Sequence, residues 1–244
     1  MCGVESRPLA DAVSILGRET LRIVLPSWCV SCRRPLPWRD RKASCCASCW
    51  PAVRPIGQPQ CPSCALPLGA PGMCLDCVTN PLPVDWCAAY GIYEGVLEKL
   101  LQAMKYERHD FLDQTLATLL EETLRTRGDL AFDALVPVPM HPAKERRRGY
   151  NQSDLLARAL APHAGIPVRP LLAKKLDRGR QASLTRRERV VNVRNTFAAT
   201  GAEGLSILLI DDICTTGETL RACAKELLAR GAKRVCALTV AKAS

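Results

Sequence analysis

The chain has 244 residues, 48% of them apolar and 24% charged, with a formal net charge of +10. That length holds one α/β domain plus a small appendage, and the apolar content excludes a disordered chain. Only 5% of residues are aromatic, which argues against an extended base-stacking platform, and no run approaches the apolar length of a membrane span.

In residues 1–25, Asp11, Arg18, Glu19 and Arg22 interrupt any signal-peptide pattern. Val13, Leu16, Ile23 and Val24 mark one face of an amphipathic helix predicted over 11–25. The expectation is a soluble, cytoplasmic protein. In that reducing compartment, clustered cysteines indicate metal rather than disulfides, and the chain has fourteen cysteines.

Residues 26–83 are rich in Cys and Pro and broken by turn-forming dipeptides. They carry four Cys-x-x-Cys pairs: Cys29/Cys32, Cys46/Cys49, Cys61/Cys64 and Cys74/Cys77. Two thiolates at this spacing share one tight turn, and two such pairs complete a tetrahedral sulfur shell for zinc. Eight ligands imply two zinc ions, most simply one for the first two pairs and one for the last two; the spacing also permits a crossed pairing. Cys45 would leave a different gap to Cys49 from the one that Cys46 leaves, so Cys46 is preferred. A full sulfur shell leaves no position for a catalytic water, so the sites are structural and supply folding free energy to a segment with few core residues. Each four-thiolate zinc site carries −2, lowering the net charge to about +6. Cys2, Cys87, Cys214, Cys223 and Cys236 stand outside the pairs.

Residues 84–244 form the larger region. Its first part, 84–130, reads as helical, with apolar positions at three- and four-residue spacing over Gly95–Lys105 and Phe111–Arg127 and a stop at Gly128. Strand-like runs follow at 135–138, 205–210 and 234–240. A helix over Thr219–Arg230, capped by Gly231, separates the last two. Strand, helix and strand in that order make a βαβ unit and hence a parallel sheet with a right-handed crossover. The charge is concentrated: residues 141–194 hold fourteen Lys/Arg against four Asp/Glu, so the rest of the chain is balanced. Such a segment is either a solvated face or a surface for a polyanion, whether nucleic acid or a phosphorylated small molecule.

The strand at 205–210 leads into Asp211-Asp212-Ile213-Cys214-Thr215-Thr216-Gly217-Glu218-Thr219. A Gly-containing turn opening a helix presents several backbone N–H groups to one anion, and the hydroxyls of Thr215, Thr216 and Thr219 add donors. Gly217 permits a close approach that a side chain would block. The paired carboxylates at a strand's C-terminal end can accept hydrogen bonds from vicinal ribose hydroxyls, at the place where open α/β sheets bind ligands. No Gly-Lys-Ser/Thr is present in this loop, so it is not a Walker loop.

These residues resemble the phosphoribosyl pyrophosphate (PRPP) motif of type I phosphoribosyltransferases. The wider chain resembles the ComF family of late competence proteins over about residues 27–241. The shared blocks are the Cys pairs, Tyr93-x-Gly95, Lys105-Tyr106, Pro137-Val138-Pro139, Arg148-Gly149-Tyr150-Asn151-Gln152, and Gln181, Leu184, Arg189, Asn192 and Phe197. The resemblance implies a type I phosphoribosyltransferase-like parallel sheet flanked by helices, with a small double zinc ribbon at its N-terminal side. It implies that Asp211 and Asp212 hold the ribose hydroxyls and that residues 215–219 enclose the 5′-phosphate. The Pro137–Pro139 segment then lies at the pyrophosphate, Arg148 or its neighbours complement its charge, magnesium bridges pyrophosphate and sugar oxygens, and Gln181–Asn192 corresponds to a loop that closes over the site. Two functions stay open on this basis. One is PRPP binding with phosphoribosyl transfer to an unidentified acceptor and a role in DNA uptake and competence; the other is a non-catalytic, PRPP-binding accessory of natural transformation, associated with single-stranded DNA or the competence machinery. No aromatic cluster suited to sandwiching a base and no general base stand out, and His141 reads as a surface or packing residue.

Overall fold

Ser206-Ile207-Leu208-Leu209-Ile210 is almost wholly apolar, as a strand covered on both faces must be. In the computed structural model it forms the first half of an interior strand. The structure describes residues 28–37, 44–106, 112–128, 131–174 and 196–243. The helix expected over 11–25 and the closing loop expected over 181–192 lie outside these residues.

The strands are β1 (Cys87–Ile92), β2 (Ala134–Pro137), β3 (Leu172–Lys174), β4 (Phe197–Ala199), β5 (Ser206–Cys214) and β6 (Arg234–Lys242). The helices are α1 (Leu75–Thr79), α2 (Gly95–Tyr106), α3 (Leu112–Arg127), α4 (Pro142–Arg148), α5 (Gln152–Ala164) and α6 (Glu218–Ala229), with a 3-10 turn at Trp50–Ala52. The main sheet is parallel with order β1-β6-β5-β2, and β3 and β4 form a separate antiparallel pair.

Alternation along each strand builds two cores. Leu208, Ile210, Cys236, Leu238, Ala88, Tyr90 and Leu135 face one side, where α2, α3 and α5 contribute residues such as Leu101, Leu120 and Leu156. Ile207, Leu209, Val235, Ala237, Cys87, Ala89 and Val136 face the other, against Leu220, Cys223 and Leu227 of α6 and Phe197 of β4. The cysteine-rich segment divides between them: Cys29, Val30, Leu36 and Cys45 join the first core, and Cys61, Cys64, Cys74 and Cys77 the second. The crossing runs along the β1 edge, where Ile56 N–H donates to Tyr90 O (2.6 Å) and Cys87 N–H to Pro62 O (2.9 Å). That covers an edge otherwise open to intermolecular pairing.

Three features differ from the sequence reading. The 84–130 region contains β1 before its helices: Cys87-Ala-Ala-Tyr-Gly-Ile is buried on both faces and so has no period-two signal. β5 does not stop at Ile210 but stays paired with β6 through Asp211↔Thr239 and Cys214↔Lys242. The basic segment also holds two helices, α4 and α5, N-capped by His141 and Asn151. The βαβ order of β5, α6 and β6 is as the sequence predicts; α6 begins at Glu218, and Gly231 takes the left-handed conformation just past its end (φ 82°).

Candidate functional site: a carboxylate pair, a threonine turn and two cysteine clusters

The sulfurs of Cys29, Cys32, Cys46 and Cys49 lie within 4.8 Å of one another, as do those of Cys61, Cys64, Cys74 and Cys77. The pairing is therefore successive, not crossed. Zinc–sulfur bonds of about 2.3 Å at tetrahedral angles place sulfurs about 3.8 Å apart. The Cys32–Cys46 and Cys64–Cys74 separations are 3.7 and 3.6 Å, so both shells fit the ion.

The two clusters repeat one local design. Cys29 N–H donates to Arg34 O and Cys61 N–H to Leu66 O, while Arg33 (φ 59°) and Ala65 (φ 62°) occupy matching left-handed positions. Cys46 N–H points at Cys29 Sγ (3.4 Å) and Cys74 N–H at Cys61 Sγ (3.5 Å). Burial disfavours the Cys29 and Cys61 thiolates, but backbone N–H groups outweigh it and bring them to about 6 and about 7. Cys45 is left out: its Sγ turns to Cys46 O (3.7 Å) and burial pushes its thiol up. The sequence carries the same repeat as Cys-x-Ser-Cys-x-x-Pro at 29–35 and 61–67.

The second feature is a cavity of about 270 Å³ whose lining includes Asp211, Asp212, Thr219, Arg148, Lys105, Tyr106, Lys144, Gln152, Ser153 and Lys174. Asp211 is held from below: its Oδ1 accepts from Ser153 Oγ (2.7 Å) and from Asp212 N–H (3.0 Å). Burial first, and the neighbouring Asp212 charge second, push its carboxyl up to about 7. Asp212 pairs with Lys105 Nζ at 2.9 Å, both side chains being largely buried. Arg148 lies over the Tyr106 ring (5.4 Å) and donates to Gln152 Oε1 (2.5 Å). Gln152 is 2% exposed, and its Nε2 has no hydrogen-bond partner among the described residues. Asn151 Nδ2 donates to Val138 O (2.9 Å), tying the 137–140 loop to the start of α5. The lining carries four Lys and Arg side chains against two carboxylates, so its local charge is positive.

The turn after β5 opens α6. Gly217 holds φ 77°, which a side chain would strain, and Thr215, Thr216, Glu218 and Thr219 around it are exposed. Lys242, itself 6% exposed, donates from Nζ to Thr215 O (2.6 Å) and Ala243 O, fixing the turn's backbone. Of the predicted residues, Asp211, Asp212, Thr219 and Arg148 line the cavity together. Thr215, Thr216, Gly217 and Glu218 form the adjoining turn. Lys105, Ser153, Lys174 and Lys242 had no assigned role in the sequence, because only the fold brings α2, α5, β3 and β6 to the end of β5. His141 lines the cavity and caps α4, its Nδ1 accepting from Ala143 N–H (3.2 Å).

A parallel sheet with a carboxylate pair and a threonine-glycine turn at the end of an interior strand, carrying two four-cysteine clusters, is a phosphoribosyltransferase-type domain joined to a double zinc ribbon. Family profiles agree: one described as "Double zinc ribbon domain" matches residues 20–78 and one described as "Phosphoribosyl transferase domain" matches residues 147–244. The chain is 32% identical over 220 residues to the DNA utilization protein YhgH of Salmonella typhi, covering 87% of this chain and 96% of that protein. It is 29% identical over 217 residues to competence protein F of Haemophilus influenzae, covering 85% and 93%. Competence protein ComFC of Bacillus subtilis is 28% identical over 193 residues, covering 76% and 78%. The chain belongs to the ComF family of competence proteins. Among the described residues, no helix is long and apolar enough to cross a membrane.

Proposed function

We propose that this protein binds PRPP at Asp211–Thr219 and transfers its phosphoribosyl group to a nitrogen nucleophile, in the service of DNA uptake. One observation carries the reading. Two carboxylates, one held by Ser153 and the other by Lys105, stand beside an exposed threonine turn and inside a wall of cations.

In this reading Asp211 and Asp212 accept from the ribose hydroxyls, and the N–H groups at the start of α6 with the hydroxyls of Thr215, Thr216 and Thr219 receive the 5′-phosphate. Lys144, Arg148 and Lys174 face the pyrophosphate. Magnesium, a hard cation suited to these carboxylates and to phosphate oxygens, supplies charge neutralisation when bound. The anomeric C–O bond to pyrophosphate breaks as the C–N bond forms, and the nucleophile's proton leaves to solvent or pyrophosphate. Catalysis then rests on positioning and on stabilising the departing charge.

Calorimetric titration of PRPP with magnesium, followed by pyrophosphate release across bases and amines, tests it. Absence of binding overturns the whole reading. Binding without release for every acceptor leaves the second reading, a non-catalytic PRPP-binding accessory of single-stranded DNA handling. One observation favours that alternative: among the described lining residues Tyr106 is the one Phe, Tyr or Trp side chain that could stack on a base. Its DNA half is tested by titrating single-stranded DNA at rising salt, where the basic 141–194 segment predicts steep salt dependence.

A further inference from the structure

The phosphate turn is not held by the α/β domain alone. Residues Asn80–Leu82 leave the second cysteine cluster directly after Cys77 and α1, and they lie against the start of α6. Arg221, whose side chain is 11% exposed, donates from its two terminal nitrogens to Asn80 O (2.7 Å) and Pro81 O. Its Nε reaches Glu218 Oε1 (3.2 Å), and its backbone N–H closes the first turn on Gly217 O (2.8 Å). One side chain thus joins two ribbon carbonyls to the residues that form the turn.

Leu82, 4% exposed, fills the space beside Gly217; a Cβ there would come within 2.9 Å of Leu82 Cδ2. Leu82 is itself anchored to the cluster, since its N–H donates to Ser63 Oγ (2.8 Å), between Cys61 and Cys64. Cys214, the residue before the turn, points its Sγ at Cys64 O (3.9 Å). The first cluster has a different neighbourhood: it packs on the opposite sheet face, with Lys99 of α2 donating to Ser31 O (3.2 Å).

We propose that Arg221 and Leu82 are positioning residues that couple metal binding at the second cysteine cluster to ligand binding at the phosphate turn, so that zinc there and a 5′-phosphate ligand bind cooperatively. Without the metal, the shell that orients Ser63 and the segment after Cys77 loses its tie, and the turn loses the support of Leu82 and the two carbonyls. The coupling is reciprocal, because each ligand favours the state that the other needs. The first cluster, on the opposite sheet face, is not coupled in this way.

This inference rests on the phosphate-binding reading above, and the test separates the two. PRPP with magnesium is titrated calorimetrically into the full zinc-loaded chain and into its Arg221→Ala and Leu82→Ala variants. Zinc release to a chromophoric chelator is then followed with and without PRPP. Wild-type binding with about tenfold weaker binding by both variants is the expected result. Arg221→Lys, which keeps one donor, is expected to fall between. In the wild type, PRPP should slow release of one of the two zinc ions and leave the other unchanged, and Arg221→Ala should erase the difference. Failure of the wild type to bind PRPP overturns the phosphate-site reading. Equal affinity in folded, zinc-loaded Arg221→Ala and Leu82→Ala overturns the coupling alone, as does zinc release that PRPP does not change.

Discussion

Replacing Asp211 by Asn should stabilise the ligand-free protein, and more so at alkaline pH. The Asp211 carboxyl is buried beside Asp212 and is held up to about 7. Its folded-state pKa lies above its unfolded value, so folding favours the protonated form. The stability it contributes is complete below the unfolded pKa and is lost as pH rises through about 7. With the carboxyl ionised, its burial beside Asp212 costs several kcal/mol. At pH 6 the folded state recovers about 1–2 kcal/mol of this by taking up a proton. Asn keeps the acceptor for Ser153 Oγ and Asp212 N–H without the charge. Thermal unfolding in zinc-replete buffer at pH 6 and 8.5 measures the effect. Asp211→Asn should melt higher at pH 8.5, and its advantage should shrink by roughly 3–6 °C at pH 6. A pH-independent difference, or a less stable variant at pH 8.5, would refute the argument. PRPP binding should weaken in the same variant, because the ribose-facing carboxylate is gone.

Metal analysis of the intact chain should give two zinc ions, and Cys32→Ser or Cys77→Ser one each, while Cys45→Ser keeps both. Gly217→Ala should lower stability by roughly 1–2 kcal/mol from its left-handed backbone alone, with a further loss from the contact with Leu82; denaturant unfolding reads the sum. Lys105→Met removes the partner of Asp212 and a cation that holds Asp211 down. The pH at which PRPP affinity rises should therefore move upward, as calorimetry at stepped pH would show; an unmoved profile would exclude that role for Lys105.

What the sequence made legible was local chemistry. Cys-x-x-Cys spacing, the Asp-Asp-x-x-Thr-Thr-Gly turn and the βαβ pattern each depend on residues close together in the chain. β1 was hidden because burial on both faces erases alternation and Ala88-Ala89 carries helical propensity. The supports of the site were hidden for another reason. Ser153 is 58 residues from Asp211, and Arg221 is 141 from Asn80, so no spacing rule connects them. Gln152 shows the remaining gap: it belongs to the Arg148–Gln152 block of the sequence, but a buried amide nitrogen without a partner among the described residues is visible only once α5 is docked.

The strand order β1-β6-β5-β2 has a consequence for how the protein is made. β1 touches the rest of the main sheet through β6 alone, and β6 is the last of these strands to be synthesised. Until residues 234–242 emerge from the ribosome, both metal clusters stand beside a strand with no sheet to join. Completion of the cysteine pairs and closure of the sheet are thus separated by most of the translation of the α/β domain. Over that interval the cysteine-rich segment has no completed sheet to pack on, which leaves its two four-cysteine sites as the source of folding free energy within the segment itself.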